Sequence, residues 1–433
     1  MASVSKVLLI RRFLHAWRTE GGGWALRRTG GYLMRRLRPL WPGWLCRNRP
    51  AAGASYLLGM WQTLAREEAF HVTKSPAILQ RRRQIALIGD LNLPQCRKYR
   101  VEQLASYLQS GSVDVEYAHY EDVPRATRIM QLATHVIEYR LQSTPVTEML
   151  RYEARRLRLP ILYDLDDPLF SISAYETYRN MQALDPAHKA GFLAAAPRYL
   201  NMMNGADVMS VSTPGMVAHA ELYTSRPLFL RRNFADHETL NAGRSAARGK
   251  RPDGVFRVAF SSGSRGHEMD LAEIIEPLSI FVLGAENRQL MILGHFDRKL
   301  LPAALAKRTR ITGFADYPRY LATLAQADCA VMPMCDDLFN RCKSAVRVLD
   351  AAAAGVPSIV SAVGDLPNVV KHGRTGMIAE TGSDWGRGLH QMASAPETAS
   401  QMGHAARQDL EARWVGSNAA HIIDPEMLRW LET

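Results

Sequence analysis

From Gln84 onward, short unbroken apolar runs alternate with segments whose apolar residues recur every three to four positions. The runs IALIGD (85–90), HVIEYR (135–140), ILYDLD (161–166) and DVMSVS (207–212) lack the strict alternation of a half-solvated strand. That pattern predicts parallel strands buried on both faces. Helical spacing at 100–109, 146–158 and 187–204 falls between them. Strand, helix and strand in repetition is the signature of right-handed βαβ units, so 84–235 is expected to be a doubly wound, Rossmann-like α/β domain. A stretch rich in Gly, Ala and Arg from Asn241 to Gly254 predicts a linker over 236–254.

The series then starts over. Strands are predicted at 256–261, 289–294, 309–314, 328–333 and 357–361, with helices at 268–278, 316–326, 344–354 and 384–394. A second Rossmann-like domain over 255–400 and C-terminal helices over 401–433 complete the layout, after a leader over 1–83. Two doubly wound domains present a cleft at the carboxyl ends of their strands, where ligands of such sheets bind. A chain of 433 residues suits two domains of ordinary size.

Charge changes this picture at one end only. Residues 1–50 hold ten Arg and one Lys against the single acid Glu20, and so carry +10 of the net +12. A basic tail on a nearly neutral body argues against a nucleic-acid-binding face. The tail also carries Trp17, Trp24, Trp41 and Trp44. Indoles among arginines suit a helix lying on an anionic membrane, each Arg near the surface being worth about 1 kcal/mol. A solvated leader is the other reading. Its apolar runs are too short to span a bilayer, so the tail is expected to dock rather than cross. None of the five cysteines form a CxxC pair, which speaks against a zinc site or disulfide framework and for a reducing cytoplasm.

The most informative stretch for chemistry is Phe339–Glu380. Lys343 and Ser344 stand at a predicted helix start, where free amides, the positive dipole end and a full charge make an anion site fit for a diphosphate. Arg347 lies one turn on. Asp350 can accept both hydroxyls of a ribose, or form an i, i+3 salt bridge with Arg347. Asp164, Asp166 and Asp167 end a predicted strand and read as cleft contacts, as turn structure before Pro168 or, more weakly, as a metal site. Arg100 and Arg140 sit where the acceptor-side wall of the cleft is expected.

Phe339–Glu380 resembles the signature of retaining GT-B glycosyltransferases of family 4, an acidic residue before A-x-A-x-G-x-P, followed by G-x-x-x-x-V-x-x-G-x-x-G. The matching positions here are Asp350, Gly355, Pro357, Gly364, Val369, Val370, Gly373 and Gly376. Ile311–Met334 is similar to the family's region around the nucleotide base, and Ala259–Asp270 to the loop after the first donor-domain strand. The resemblance implies a GT-B fold, α/β with two Rossmann-like domains facing a cleft, and transfer of a hexosyl or deoxyhexosyl group from a nucleotide-sugar. Arg265, Lys343 and Asp164 are then expected to be catalytic. Gly263, Ser264, Gly313, Phe314, Ser344, Arg347 and Asp350 are expected to hold the donor, and Arg100, Arg140, Asp166 and Asp167 the acceptor side. No metal or cofactor is expected beyond the nucleotide-sugar itself. With the basic tail, the acceptor is expected to be lipid-linked or a surface polysaccharide at the inner face of the cell membrane.

Three positions depart from the family pattern. The first of its paired acids falls on Cys342, with Asp336 or Asp337 as nearby substitutes, the second is Asp350 where Glu is usual, and Tyr163 stands where many members have a histidine. These departures keep two rivals in view, a sugar-nucleotide epimerase of the same fold and a non-catalytic, transferase-like partner.

Overall fold

The structure, a computed structural model, describes residues 83–432 other than 112, 250–252, 263–266 and 417–420, with scattered positions between 13 and 30. Two six-stranded, wholly parallel sheets form the two lobes. The first contains β1 (Arg83–Gly89), β2 (Val113–His119), β3 (His135–Tyr139), β4 (Ile161–Leu165), β5 (Val208–Val211) and β6 (Leu228–Leu230) in the order β2-β1-β3-β4-β5-β6. The second contains β7 (Phe256–Ser262), β8 (Arg288–Gly294), β9 (Thr309–Thr312), β10 (Cys329–Met332), β11 (Ser358–Ser361) and β12 (Gly376–Ala379) in the order β12-β11-β10-β7-β8-β9.

The central strands are the apolar runs of the sequence. Ile85, Ala86, Leu87, Ile137, Leu162, Val258, Phe260 and Ile359 are inaccessible to solvent, covered by helices on both faces. Three strands are not visible as runs, β2, β6 and β12, and each is a sheet edge. An edge strand is covered less, and β2 mixes buried and half-buried positions over VDVEYAH. Strand order reverses between β1 and β3 in one lobe and between β7 and β10 in the other. Loops leaving the carboxyl ends of those pairs diverge there and open the crevices in which such folds bind ligands.

The expected linker is instead a helix, His237–Arg248, N-capped by the Asp236 carboxylate, which accepts from the Thr239 amide at 2.8 Å. Its small residues share one face: a Cβ at Gly243 would stand 2.3 Å from the Ala353 carbonyl oxygen. The Gly and Ala content that suggested a flexible joint therefore serves close packing on the helix Val346–Ala353. The C-terminal helices divide between the lobes. Pro396–Arg413 packs on the second lobe, while Ile422, Ile423 and the helix Pro425–Glu432 return to the first. There Met427 and Leu431 are buried against the layer containing Ile85 and Leu87.

The lobes also meet closely at Thr213 and Gly215. The helix Pro214–Ala220 begins at Thr213, whose hydroxyl donates to the Cys342 carbonyl at 2.8 Å while capping the Met216 amide at 3.0 Å. A Cβ at Gly215 would lie 2.3 Å from the Arg341 carbonyl oxygen, so only glycine permits this approach of backbone to backbone.

Candidate functional site

In the second lobe the chain leaves β10 and turns at Asp337, which caps the short helix Leu338–Arg341 by accepting from the Asn340 amide at 2.8 Å. Cys342, Lys343 and Ser344 follow, and then the helix Val346–Ala353. No side chain caps that helix at Ala345, so its first-turn amides are free of side-chain acceptors. Lys343 points across the cleft. Its ammonium donates to the Tyr178 hydroxyl at 2.6 Å and lies 4.6 Å from the Tyr178 ring centroid and 5.4 Å from that of Phe339. Burial would lower the lysine's pKa, but Tyr178, Asp270 and Asp167 outweigh it and hold the ammonium charged. Ser344 accepts from Asn233 at 3.0 Å, and Arg347 donates to the Ser261 carbonyl at 3.1 Å rather than pairing with Asp350.

Beside this segment, Asp270 is fully buried. It accepts from the Cys335 amide at 3.1 Å, the Asn340 side chain at 3.3 Å and His267 at 3.1 Å. Burial opposes ionisation of Asp270, yet its hydrogen bond with His267 and the charge of Lys343 hold its pKa well below the usual carboxylate range. Burial and the same Lys343 push His267 down to about 4, leaving it neutral at pH 7.

The opposing wall comes from the carboxyl ends of β3 and β4. Arg140 adopts a left-handed φ of 53°, uncommon for a residue with a side chain, and its guanidinium reaches Asp166 at 2.7 Å and Asp167 at 3.2 Å. Asp166 also accepts from the Tyr139 hydroxyl at 3.1 Å. Residues 168–183 then cross to the other lobe. Tyr178 stacks on Phe339 with centroids 4.2 Å apart, the Arg179 amide donates to Asp337 at 3.2 Å, and the Arg179 guanidinium pairs with Glu273 at 2.6 Å. This strap bridges the cleft beside Lys343.

Asp350 is not the open carboxylate expected for a ribose. It is buried beneath Tyr317, which donates to it at 2.6 Å, and Tyr99, whose hydroxyl reaches it from the first lobe. Burial pushes its pKa up to about 6 even with those hydroxyls bonded to it. Phe314 is exposed at the end of β9, tilted against His295 at 5.0 Å, and the space a Cβ of Gly313 would enter is open. Gly263, Ser264 and Arg265 lie outside the described residues, as does most of 1–50.

Two further expectations need correction. Asp164 does not face the cleft. Its side chain is wholly inaccessible and accepts from Ser210 at 2.6 Å and from the guanidinium groups of Arg100 and Arg231. Arg100, expected on the acceptor side, is the other half of this buried triad and also donates to the Arg231 carbonyl and to Asn233 at 3.2 Å. Both residues follow strand and helix patterns that place them near the cleft, but a charge at a strand end can turn inward when counter-charges meet it there. Asp164 thus turns to the buried arginines while Asp166 and Asp167 share Arg140, and among the described residues no three acids gather where they could hold a metal ion. The substitutes for Cys342 are engaged as well, Asp336 with Arg341 at 2.7 Å and Asp337 in capping. Sequence reasoning missed Tyr178, Tyr99 and Asp270. Contacts distant in sequence give Tyr178 and Tyr99 their roles, so no local signal marks them, whereas Asp270 also pairs with His267 three residues before it.

Comparison with known proteins bears on this arrangement. Residues 267–393 match the family described as glycosyl transferases group 1. A glycogen synthase of Mycobacterium tuberculosis (strain CDC 1551 / Oshkosh) is 33% identical over 106 residues, 24% of each chain. A D-inositol 3-phosphate glycosyltransferase of Arthrobacter sp. (strain FB24) is 28% identical over 211 residues, 46% of this chain and 45% of that one. The matched regions therefore span about a quarter to just under half the length of these curated relatives. Among solved structures, sucrose-phosphate synthase from Thermosynechococcus elongatus superimposes with a TM-score of 0.57 at 16% identity, covering 81% of this chain and 99% of that one. WaaG, a glycosyltransferase involved in lipopolysaccharide biosynthesis, does so with a TM-score of 0.53 at 12% identity, covering 79% and 100%. The chain has the GT-B fold, and the match to the glycosyl transferases group 1 lies within its second lobe.

Proposed function

We propose that the chain transfers a hexosyl or deoxyhexosyl group from a nucleotide-sugar to an acceptor, with retention at the anomeric carbon and with side-chain cations in place of a metal. The observation that carries this reading is Lys343. It lies at the interlobe mouth, directly before a helix start without a side-chain cap, within the segment matched to glycosyl transferases group 1. As the bond from the anomeric carbon to the diphosphate breaks, negative charge grows on the departing oxygen and positive character on the sugar. A fixed ammonium at that oxygen stabilises the transition state more than the bound donor, which is what accelerates the chemical step. Arg265 is proposed as the second cation and Arg347 as a diphosphate contact. Ser344, Gly263 and Ser264 complete the donor loops, and Gly313 and Phe314 the rim of the base pocket. Arg140, with Asp166 at its side, is proposed for the acceptor wall.

Loss of one preorganised donor at a developing oxyanion costs about 100- to 1000-fold in turnover. Lys343→Ala is therefore expected to lose at least about 100-fold in kcat for sugar transfer while keeping its circular dichroism spectrum. Full transfer by that variant removes the assignment. The acceptor is proposed to be lipid-linked or a surface polysaccharide, met at the inner face of the cell membrane. The arginine- and tryptophan-bearing residues 1–50 support this by their composition. Co-sedimentation with anionic liposomes tests it: deleting residues 1–60 is expected to abolish binding, and unchanged binding refutes it.

A further inference from the structure

A sugar hanging from a diphosphate held at Lys343 must lie within a few ångströms of that ammonium, so the groups that read its hydroxyls are to be sought around the same point. Carboxylates suit the task because each oxygen accepts hydroxyl hydrogens with charge assistance. Three lie within electrostatic reach of Lys343, namely Asp270, Asp337 and Asp167. The first two are spent. Both oxygens of Asp270 are occupied, one by the Cys335 amide and the Asn340 side chain, the other by His267. Those of Asp337 serve the Asn340 amide and side chain and the Arg179 amide.

Asp167 differs. Arg140 holds one of its oxygens at 3.2 Å, and among the described residues the other accepts no hydrogen bond; the side chain retains 26% of its exposure. Its neighbour Asp166, bonded on both oxygens to Tyr139 and Arg140, has no such free acceptor. Asp167 also looks onto Cys342, whose thiol is pushed up to about 12 by burial and then by the charges of Asp167 and Asp337. Cys342 therefore stays neutral, and its sulfur faces the Gly215 carbonyl at 3.7 Å rather than the cleft.

We propose that Asp167, on the lobe opposite the diphosphate-binding segment, accepts hydrogen bonds from the hydroxyls of the transferred sugar and is the residue that makes donor recognition depend on the sugar. This assignment rests on the reading of the chain as a nucleotide-sugar transferase. It moves Asp167 from the acceptor wall to the donor, and it means that sugar recognition is completed only when the two lobes stand together.

Calorimetry with UDP, GDP and dTDP, each alone and as its glucose conjugate, tests the proposal on the full chain. Wild type is expected to bind one conjugate more tightly than its bare nucleotide. Asp167→Asn and Asp167→Ala are expected to lose that increment, by roughly 10- to 100-fold, with bare nucleotide affinity unchanged. Thermal melting of both variants verifies that they fold. If the variants weaken bare nucleotide and conjugate equally, or neither, the assignment of Asp167 is overturned while the transferase reading stands. If wild type binds none of the six, both fall together.

Discussion

Asp164→Asn separates a structural from a catalytic role at the strand end that the sequence marks for chemistry. In the native protein Asp164 bridges two guanidiniums at once, accepting from Arg100 Nε at 3.1 Å and Arg231 Nε at 3.4 Å as well as from a terminal nitrogen of each. All three side chains are inaccessible. The triad already holds an excess positive charge, and burial together with Arg100 brings Arg231 down to about 10. Removing the one anion leaves two like charges in a medium that cannot solvate them. Breaking a buried pair in this way costs about 3–5 kcal/mol, and at about 2–4 °C per kcal/mol the melting temperature is expected to fall by about 6–20 °C. Arg231→Met leaves the balanced Arg100–Asp164 pair and is expected to cost less. Calorimetric melting at pH 7 measures both. Burial alone would raise the Asp164 pKa, but the two arginines hold it below 3.8. Its stabilisation is therefore present above the unfolded carboxylate pKa and is lost as pH falls through the native value. An Asp164→Asn protein that melts with wild type yet fails in sugar transfer would refute this reasoning and return Asp164 to the reaction.

Tyr178→Phe keeps the stack on Phe339 but removes the oxygen that accepts from Lys343 at 2.6 Å, so nucleotide-sugar affinity measured by calorimetry is expected to tighten by up to about tenfold. Unchanged or weaker binding means that the hydroxyl does not compete with the diphosphate. Asp350 is raised by burial from 3.8 to about 6, so wild-type stability is expected to fall as pH rises across that interval, by about 3 kcal/mol at most. Asp350→Asn should flatten the dependence in urea unfolding, and an unaltered slope would show the proton to belong elsewhere. Gly215→Ala forces a methyl against the Arg341 carbonyl, and small-angle scattering is expected to report a larger radius of gyration with reduced transfer. A wild-type radius would show that the lobes accommodate the methyl without parting.

The doubly wound architecture is legible from the chain because buried parallel strands must be continuously apolar, and IALI of β1 or ILY of β4 can be little else. Edge strands escape the same logic, since β6 is three half-buried residues and β12 begins at a glycine. At the site, Lys343 and Arg140 can be located because a helix start and a strand end are local features. Asp164 misleads because whether a strand-end acid faces solvent or turns inward depends on Arg231, 67 positions away. Tyr99 and Tyr178 are invisible for the same reason, each being defined by its reach to a residue 251 and 165 positions distant.

The return of Pro425–Glu432 to the β1 side of the first lobe bears on how the protein comes into being. Ile85 and Leu87 are among the first described residues to leave the ribosome, while Met427 and Leu431, which cover the same layer, are among the last. At roughly 5–20 residues per second, translation leaves that flank bare for about 20 to 70 seconds. The nascent first lobe must wait through that interval with part of its apolar surface not yet covered by the helix Pro425–Glu432.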